Sequence, residues 1–410
     1  MSAVLRVGIA PVPHRHECAP SEPLLDPSGA TVILGTPFGA DALAVPVEPS
    51  ARTLFGPRGA CVCADGSLWV ADTGHHRLLG WSKIPTADNT PADWLVGQPD
   101  FGCEGRNAHQ DPSAATLNVP TGICACGEGL VVADAWNHRV LIWRIRPDRN
   151  NQPADVVLGQ CSVNQADGNR GLEAPSDDTM HWPSGVCWDG ERLWVADTGN
   201  RRVLMWNGLP LRHGAPADLV LGQDQFSCRD ENGGGAPTAA SMRWPHGLAV
   251  LGSRLFVSDA GNNRVMIWNK LPTCNGQPCD VMLGQHNTSG VDHNCGDYWP
   301  DADVLNMPYA ISMLRRASGS WLVVADTASS RLLGWHADAI DSHGAKAQRL
   351  AGQFDWQSKG DNRWLPATRD SLCWPYGLST TKTHAVIADA GNNRVLLWRW
   401  HDSLSQESTA

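Results

Sequence analysis

The sequence predicts an all-β fold: a six-bladed β-propeller of four-stranded blades, closed by an N-terminal strand that completes the last blade. Two observations carry this expectation. The stretch LWVADTGNRRVLMW at 193–206 returns five more times along the 410 residues, always in register. Each copy is embedded in the same set of short apolar segments, which is the pattern of radially repeated sheets rather than of chained domains. The composition agrees, with 41 Gly, 28 Pro and 19 Trp, as suits many short strands joined by tight turns.

Each unit opens on Pro-x-[Gly/Ala], at Pro57, Pro120, Pro183, Pro245, Pro308 and Pro375, and the apolar run that follows reads as a first strand. The second strand ends on an aspartate: Asp72, Asp134, Asp197, Asp259, Asp326 and Asp389. A TGN-type turn then signals a hairpin. The third strand begins with Arg77, Arg139, Arg202, Arg264, Arg331 or Arg394 and ends with Trp81, Trp143, Trp206, Trp268, Trp335 or Trp398. An LxGQ-like segment, such as VLGQ at 157–160 and 220–223, supplies the fourth. All four segments are apolar on both faces, as blades packed between two neighbours require. The sixth unit has no LxGQ segment after Trp398. TVILGTPF at 31–38 has the missing pattern, so the chain ends are expected to meet in one blade and leave no open sheet edge. The expected organisation is an N-terminal extension over 1–30, the propeller over 31–398 and a tail over 399–410.

A net charge of −10 offers no basic footprint for nucleic acid or anionic lipid. No run of about 18 apolar residues is present for a membrane span, and the N-terminus has no apolar core of a secretory signal. Thirteen cysteines are too few for a disulfide scaffold, and their number is odd. A cytoplasmic protein with reduced thiols is expected.

Asp197 and Arg202 look at first like a catalytic pair. Six equal copies argue otherwise, because a site needs one constellation. The aspartates are expected to accept turn N–H groups and the arginines to brace the blades. Candidate binding residues are those that vary while the repeat frame holds. The residue after each proline runs Arg58, Thr121, Ser184, His246, Tyr309, Tyr376. The residue two before each proline runs Phe55, Asn118, His181, Arg243, Asn306, Cys373. Both rings are expected near the mouth of the central channel, where convergent polar groups make a ligand site. Cys61, Cys124 and Cys187 share one inner-strand position and are expected to be small packing residues, with a thiol cluster for a soft metal as the alternative. His14, His16 and Cys18, alternating in PHRHEC, are a second place where a metal ion could bind. His75, His76 and His138 occupy turn positions where other units have Asn, and a turn role suffices for them. No HExxH, GxxxxGK or GxSxG motif occurs.

These landmarks resemble the NHL-repeat family. NHRV at 137–140 and GNNRV at 261–265 stand where the family has its Asn-His-Leu motif. Similar units with a GQ segment and a loop of about 20 residues before the next proline look familiar from bacterial members. The resemblance implies a propeller and spans about 31–398. It implies no single function, since the family includes RNA-binding and protein-interaction propellers, sensor domains and a metal-dependent amidating lyase. The expectation is a non-catalytic scaffold whose loop-rich face takes a protein partner or small ligand, with neither nucleic acid nor membrane as partner. The alternative is a metal-dependent lyase or hydrolase at the channel mouth. It would use His246, His181, Tyr309, Tyr376 and Arg58, with a third metal ligand from Cys373 or a loop.

Overall fold

The computed structural model describes residues 15, 20–35 and 47–405. Six antiparallel sheets stand around a central channel. In the third blade, Pro183–Trp188 lies innermost and Arg192–Asp197, Arg202–Asn207 and Leu219–Leu221 follow outward. The other blades repeat this order. Because every blade is apolar on both faces, the core is not central. It is six layers, each between neighbouring blades.

The ring closes through Val32–Gly35, which pairs antiparallel with Arg394–Leu397 as the outer strand of the sixth blade. The chain start is built in further still. Glu22–Pro23 runs parallel to Arg349–Leu350 at the outer edge of the fifth blade. The Asp26 carbonyl accepts the Nε1–H of Trp398 at 2.7 Å. In the other blades the matching indole donates to a carbonyl in its own third-to-fourth strand loop, as Trp143 does to Gln152 at 2.9 Å and Trp206 to Ala215 at 3.0 Å. Residues 22–35 thus replace both the outer strand and the loop that the sixth unit lacks. The six tryptophans are buried apolar bodies with one polar tether each.

Asp197 and Arg202 face each other where the second and third strands meet, and both are fully buried. Asp197 Oδ1 accepts the backbone N–H of His181 at 2.7 Å. Its Oδ2 accepts Arg202 Nε at 2.8 Å and Asn200 Nδ2 at 2.8 Å. Arg202 Nη2 donates to the carbonyls of Ser176 and Thr179 at 2.9 Å each, and Nη1 to that of Phe226. Those carbonyls belong to the loops before and after the blade. The ion pair is therefore a bracket joining a hairpin to two loops. The bond from aspartate Oδ1 to the N–H two residues before proline, and the Nε–Oδ2 contact, are present in all six blades.

Removing one side of a buried, fully bonded pair strands the other charge without water. Asp197→Ala is expected to cost about 3–5 kcal/mol in equilibrium denaturant unfolding. Arg202→Met is expected to cost a similar amount. A change near zero in both would show that the bracket is dispensable.

Candidate functional site at the channel mouth

The six inner strands enclose a channel of about 600 Å³. The residue after each proline, from Arg58 round to Tyr376, lines it in every blade. Close packing of neighbouring strands fixes this ring. A Cβ on Gly185 would meet the His246 carbonyl oxygen at 1.8 Å, and one on Gly59 would meet that of Thr121 at 2.2 Å. Glycine after the variable residue lets adjacent blades touch backbone to backbone there.

The mouth is lopsided. On one side Arg58 lies over the Tyr376 ring at 4.7 Å, Tyr376 packs on Tyr309 at 4.6 Å, and Tyr309 meets His246 edge-on at 4.3 Å. This is a continuous cationic and aromatic arc over blades one, six, five and four. On the other side stand two short hydroxyls already in use. Thr121 Oγ1 donates to the Ser184 carbonyl at 3.0 Å, and Ser184 Oγ bonds Thr198 Oγ1 at 2.5 Å. His246 Nδ1–H donates to the Trp244 carbonyl at 2.9 Å, which leaves Nε2 as the lone-pair nitrogen. Burial, with the Arg58 charge nearby, pulls the His246 imidazolium down to about 4. Burial and the neighbouring Tyr376 push the Tyr309 phenol up to about 12. Both side chains are neutral near pH 7.

The second candidate ring is not part of the channel wall. Each of its members is held through its backbone N–H by the aspartate bracket. His181 packs against both His138, at 4.9 Å, and Trp182, at 5.0 Å, which are 6.5 Å from each other. Arg243 pairs with Glu231 at 2.9 Å and lies over Trp244. Cys373 is buried, and its thiol is pushed up to about 12. The structure therefore separates His181 and Cys373 from His246. Among the described residues no three His, Cys, Asp or Glu side chains are gathered as a metal site. His14, His16 and Cys18 lie outside the described residues. Cys61, Cys124 and Cys187 line the channel, and all twelve described cysteines are free. A hydrogen bond from Cys61 draws Cys63 down to about 7, while burial pushes Cys126 and Cys187 up to about 12.

The turn histidines divide by position. His76 and His138 have left-handed backbone at the end of the hairpin turn, like Asn263 and Asn393. Each Nδ1 accepts the backbone N–H just before the next blade's proline, from Val119 at 3.0 Å and Trp182 at 3.1 Å. Asn263 and Asn393 use Oδ1 in the same way toward Met307 and Gly56, both at 2.8 Å. A neutral ring is required, and burial lowers His76 and His138 to about 4. His75 is the opposite case. Its Nδ1 faces Asp72 Oδ2 and its Nε2 the Val47 carbonyl, both at 2.8 Å, so both nitrogens donate. Burial opposes the charge, but the bond to Asp72 and that carboxylate's charge raise the pKa.

The residues immediately before each proline were not among the sequence candidates. Val119, Trp182, Met307 and Trp374 have left-handed backbone, and Trp182, Trp244 and Trp374 are exposed around the mouth. The recurring Trp-Pro dipeptides at 182, 244 and 374 are the signal that could have found the three tryptophans.

The family model for the NHL repeat matches residues 56–81 and 117–143, which lie in the first two blades. The chain carries NHL repeats in these two blades. Its other four blades carry the same bracket and hairpin. The chain is 28% identical over 214 residues to NHL repeat-containing protein 2 of Homo sapiens and 30% identical over 213 residues to that of Gallus gallus. Each alignment covers 48% of this chain and 27% of the relative, so the match spans about a quarter of those relatives' length. Kuenenia stuttgartiensis hydrazine synthase superposes with a TM-score of 0.46 at 12% identity, over 87% of this chain and 98% of that one, a likeness too loose to argue from.

The neutral histidines set a pH dependence. His76, His138 and His246 have folded-state pKa values of about 4, below the 6.5 of a free imidazole. The unfolded chain takes up their protons first, so their contribution is complete above pH 6.5 and is lost as pH falls toward 4. Stability measured by denaturant unfolding is expected to decline through that window. His138→Asn keeps an acceptor without a titrating group and is expected to flatten the decline. An unchanged profile in that variant would contradict the assigned role.

Proposed function

We propose that this protein is a non-catalytic binding module whose site is the loop-rich face at the channel mouth. The observation that carries the proposal is the lopsided ring. Around a frame repeated six times, Arg58, Tyr376, Tyr309 and His246 form one contiguous arc of unlike groups, while Thr121 and Ser184 opposite are small and internally bonded. Symmetric packing has no need of such an arc, and a recognition surface does. A cavity of about 600 Å³ is within the range of small-molecule sites. The exposed Trp244 and Trp374 flank the arc, Trp182 stands before Ser184 on the other side, and all three are side chains of the kind that dominate protein contacts. They supply a rim on which a protein partner could rest, with the channel taking a small ligand or a protruding side chain. Among the described residues no helix is long and apolar enough to cross a membrane. The free thiols support a reducing compartment, and we place the protein in the cytoplasm.

A ligand that binds only the folded state raises its stability by mass action. A thermal-shift screen against small-molecule and peptide libraries should give hits that Tyr309→Ala and Tyr376→Ala abolish. Glu128→Ala, on the opposite-face hairpin of the second blade, should retain them. Hits that survive both mouth substitutions would place the site elsewhere.

A further inference from the structure

The charge of the channel departs from that of the chain. The chain carries −10, yet the ionised channel-lining residues are two arginines and one aspartate, Arg58, Arg315 and Asp189. Asp189 is already occupied. Its Oδ1 accepts the backbone N–H of Glu191 at 2.8 Å and of Arg192 at 2.7 Å, and its Oδ2 accepts Trp194 Nε1–H at 3.1 Å. Arg315 gives an Nη2–H to the Val250 carbonyl at 2.8 Å. Arg58 stands apart from both. Among the described residues no carboxylate pairs with its guanidinium, which is placed by the face of Tyr376. It is a fixed, exposed fork of donors at the entrance to a channel whose next layer is apolar: Ile123, Val186, Leu248, Ile311 and Leu378. Among the described residues the mouth offers a cation no unpaired carboxylate, and Arg58 repels it. A planar anion has a bidentate partner there. The aromatic rings that continue from Arg58 to His246 offer flat faces and edges to an unsaturated body. His246 Nε2 adds one acceptor for a hydroxyl or amide N–H on the same ligand.

We infer that the channel mouth binds a small organic carboxylate with a flat, unsaturated body, its carboxylate on Arg58 and its body along Tyr376, Tyr309 and His246. This rests on the binding reading above and adds the ligand class to it. The carboxylate would displace water from the guanidinium, and the apolar layer would exclude water behind the ligand. Aliphatic amines and other cations would face Arg58 with nothing to offset its charge.

Three isosteric probes separate the ideas: 2-naphthoate, 2-naphthalenemethanol and 2-naphthylmethylamine, titrated calorimetrically into the full-length protein. A charge-assisted contact should make naphthoate bind about tenfold tighter than the alcohol, or more, with the amine weakest. Arg58→Gln should bring naphthoate down to the alcohol's affinity and leave the alcohol unchanged. Tyr376→Leu should weaken both naphthoate and the alcohol, and naphthoate more, because that ring also places Arg58. Arg58 is exposed, so Arg58→Gln should keep the wild-type melting temperature, and that measurement guards against a folding defect. Equal affinity for all three probes, preference for the amine, or discrimination that survives Arg58→Gln would overturn the ligand class while leaving channel binding in place. Absence of binding by any probe would overturn the small-molecule site itself.

Discussion

Everything at the channel mouth hangs from a buried carboxylate. Each blade's aspartate holds one guanidinium with one oxygen and a loop N–H with the other, two residues before proline. Taking a charge pair out of water is expensive, and such a pair persists only where the remaining donors and acceptors are met. Here they are. Arg202 spends its other N–H groups on three loop carbonyls, and Asn200 completes Asp197. The result is that about 20 residues of loop between blades, long enough to wander, are pinned at both ends. The variable residue after proline inherits that precision. Arg58, His246, Tyr309 and Tyr376 can meet ring to ring because each is only three residues from a bracketed N–H.

The fold was legible because repetition turns one ambiguous motif into six aligned ones. Asp197 beside Arg202 carries two meanings in one copy and a single meaning in six. Closure was legible for the same reason, from the missing segment after Trp398 and the surplus one at 31–38. The further role of Glu22–Asp26 was not, since Asp26 takes part through its carbonyl and a carbonyl leaves no mark on the sequence. The lining of the channel was legible by half. Both variable rings flank the same proline, but one residue faces the channel and the other faces the bracket, and the direction of a side chain in a loop is not written in spacing. The lopsidedness of the mouth was equally hidden, because it depends on Thr121 and Ser184 being satisfied by their neighbours. The histidines show a further limit. His75 and His76 are adjacent in sequence and differ in protonation, because one faces a carboxylate and the other a backbone N–H.

The left-handed residues around the mouth share one physical origin. Val119, Trp182, Met307 and Trp374 are bulky residues in a conformation that normally suits glycine. Each gives its N–H to the turn residue of the preceding blade, and proline fixes the next angle. The strain is thus held by contacts from two blades at once. At two of the six positions, Trp182 and Trp374, such a residue is a tryptophan displayed to solvent, so the device that locks blades together also presents aromatic surface.

The mixed sixth blade has a consequence for how the protein is made. Val32 pairs with Leu397, so the strand Val32–Gly35 must wait for 365 further residues before it finds its partner. At bacterial to eukaryotic translation speeds that delay is roughly 20–70 s. Throughout it, a short apolar strand and the exposed face of the first blade have nothing to cover them. Blades one to five can assemble in order as they emerge, but the ring is sealed only once Arg394–Leu397 has emerged. The growing propeller is therefore most exposed to aggregation and to chaperones at its earliest blade edge rather than its newest.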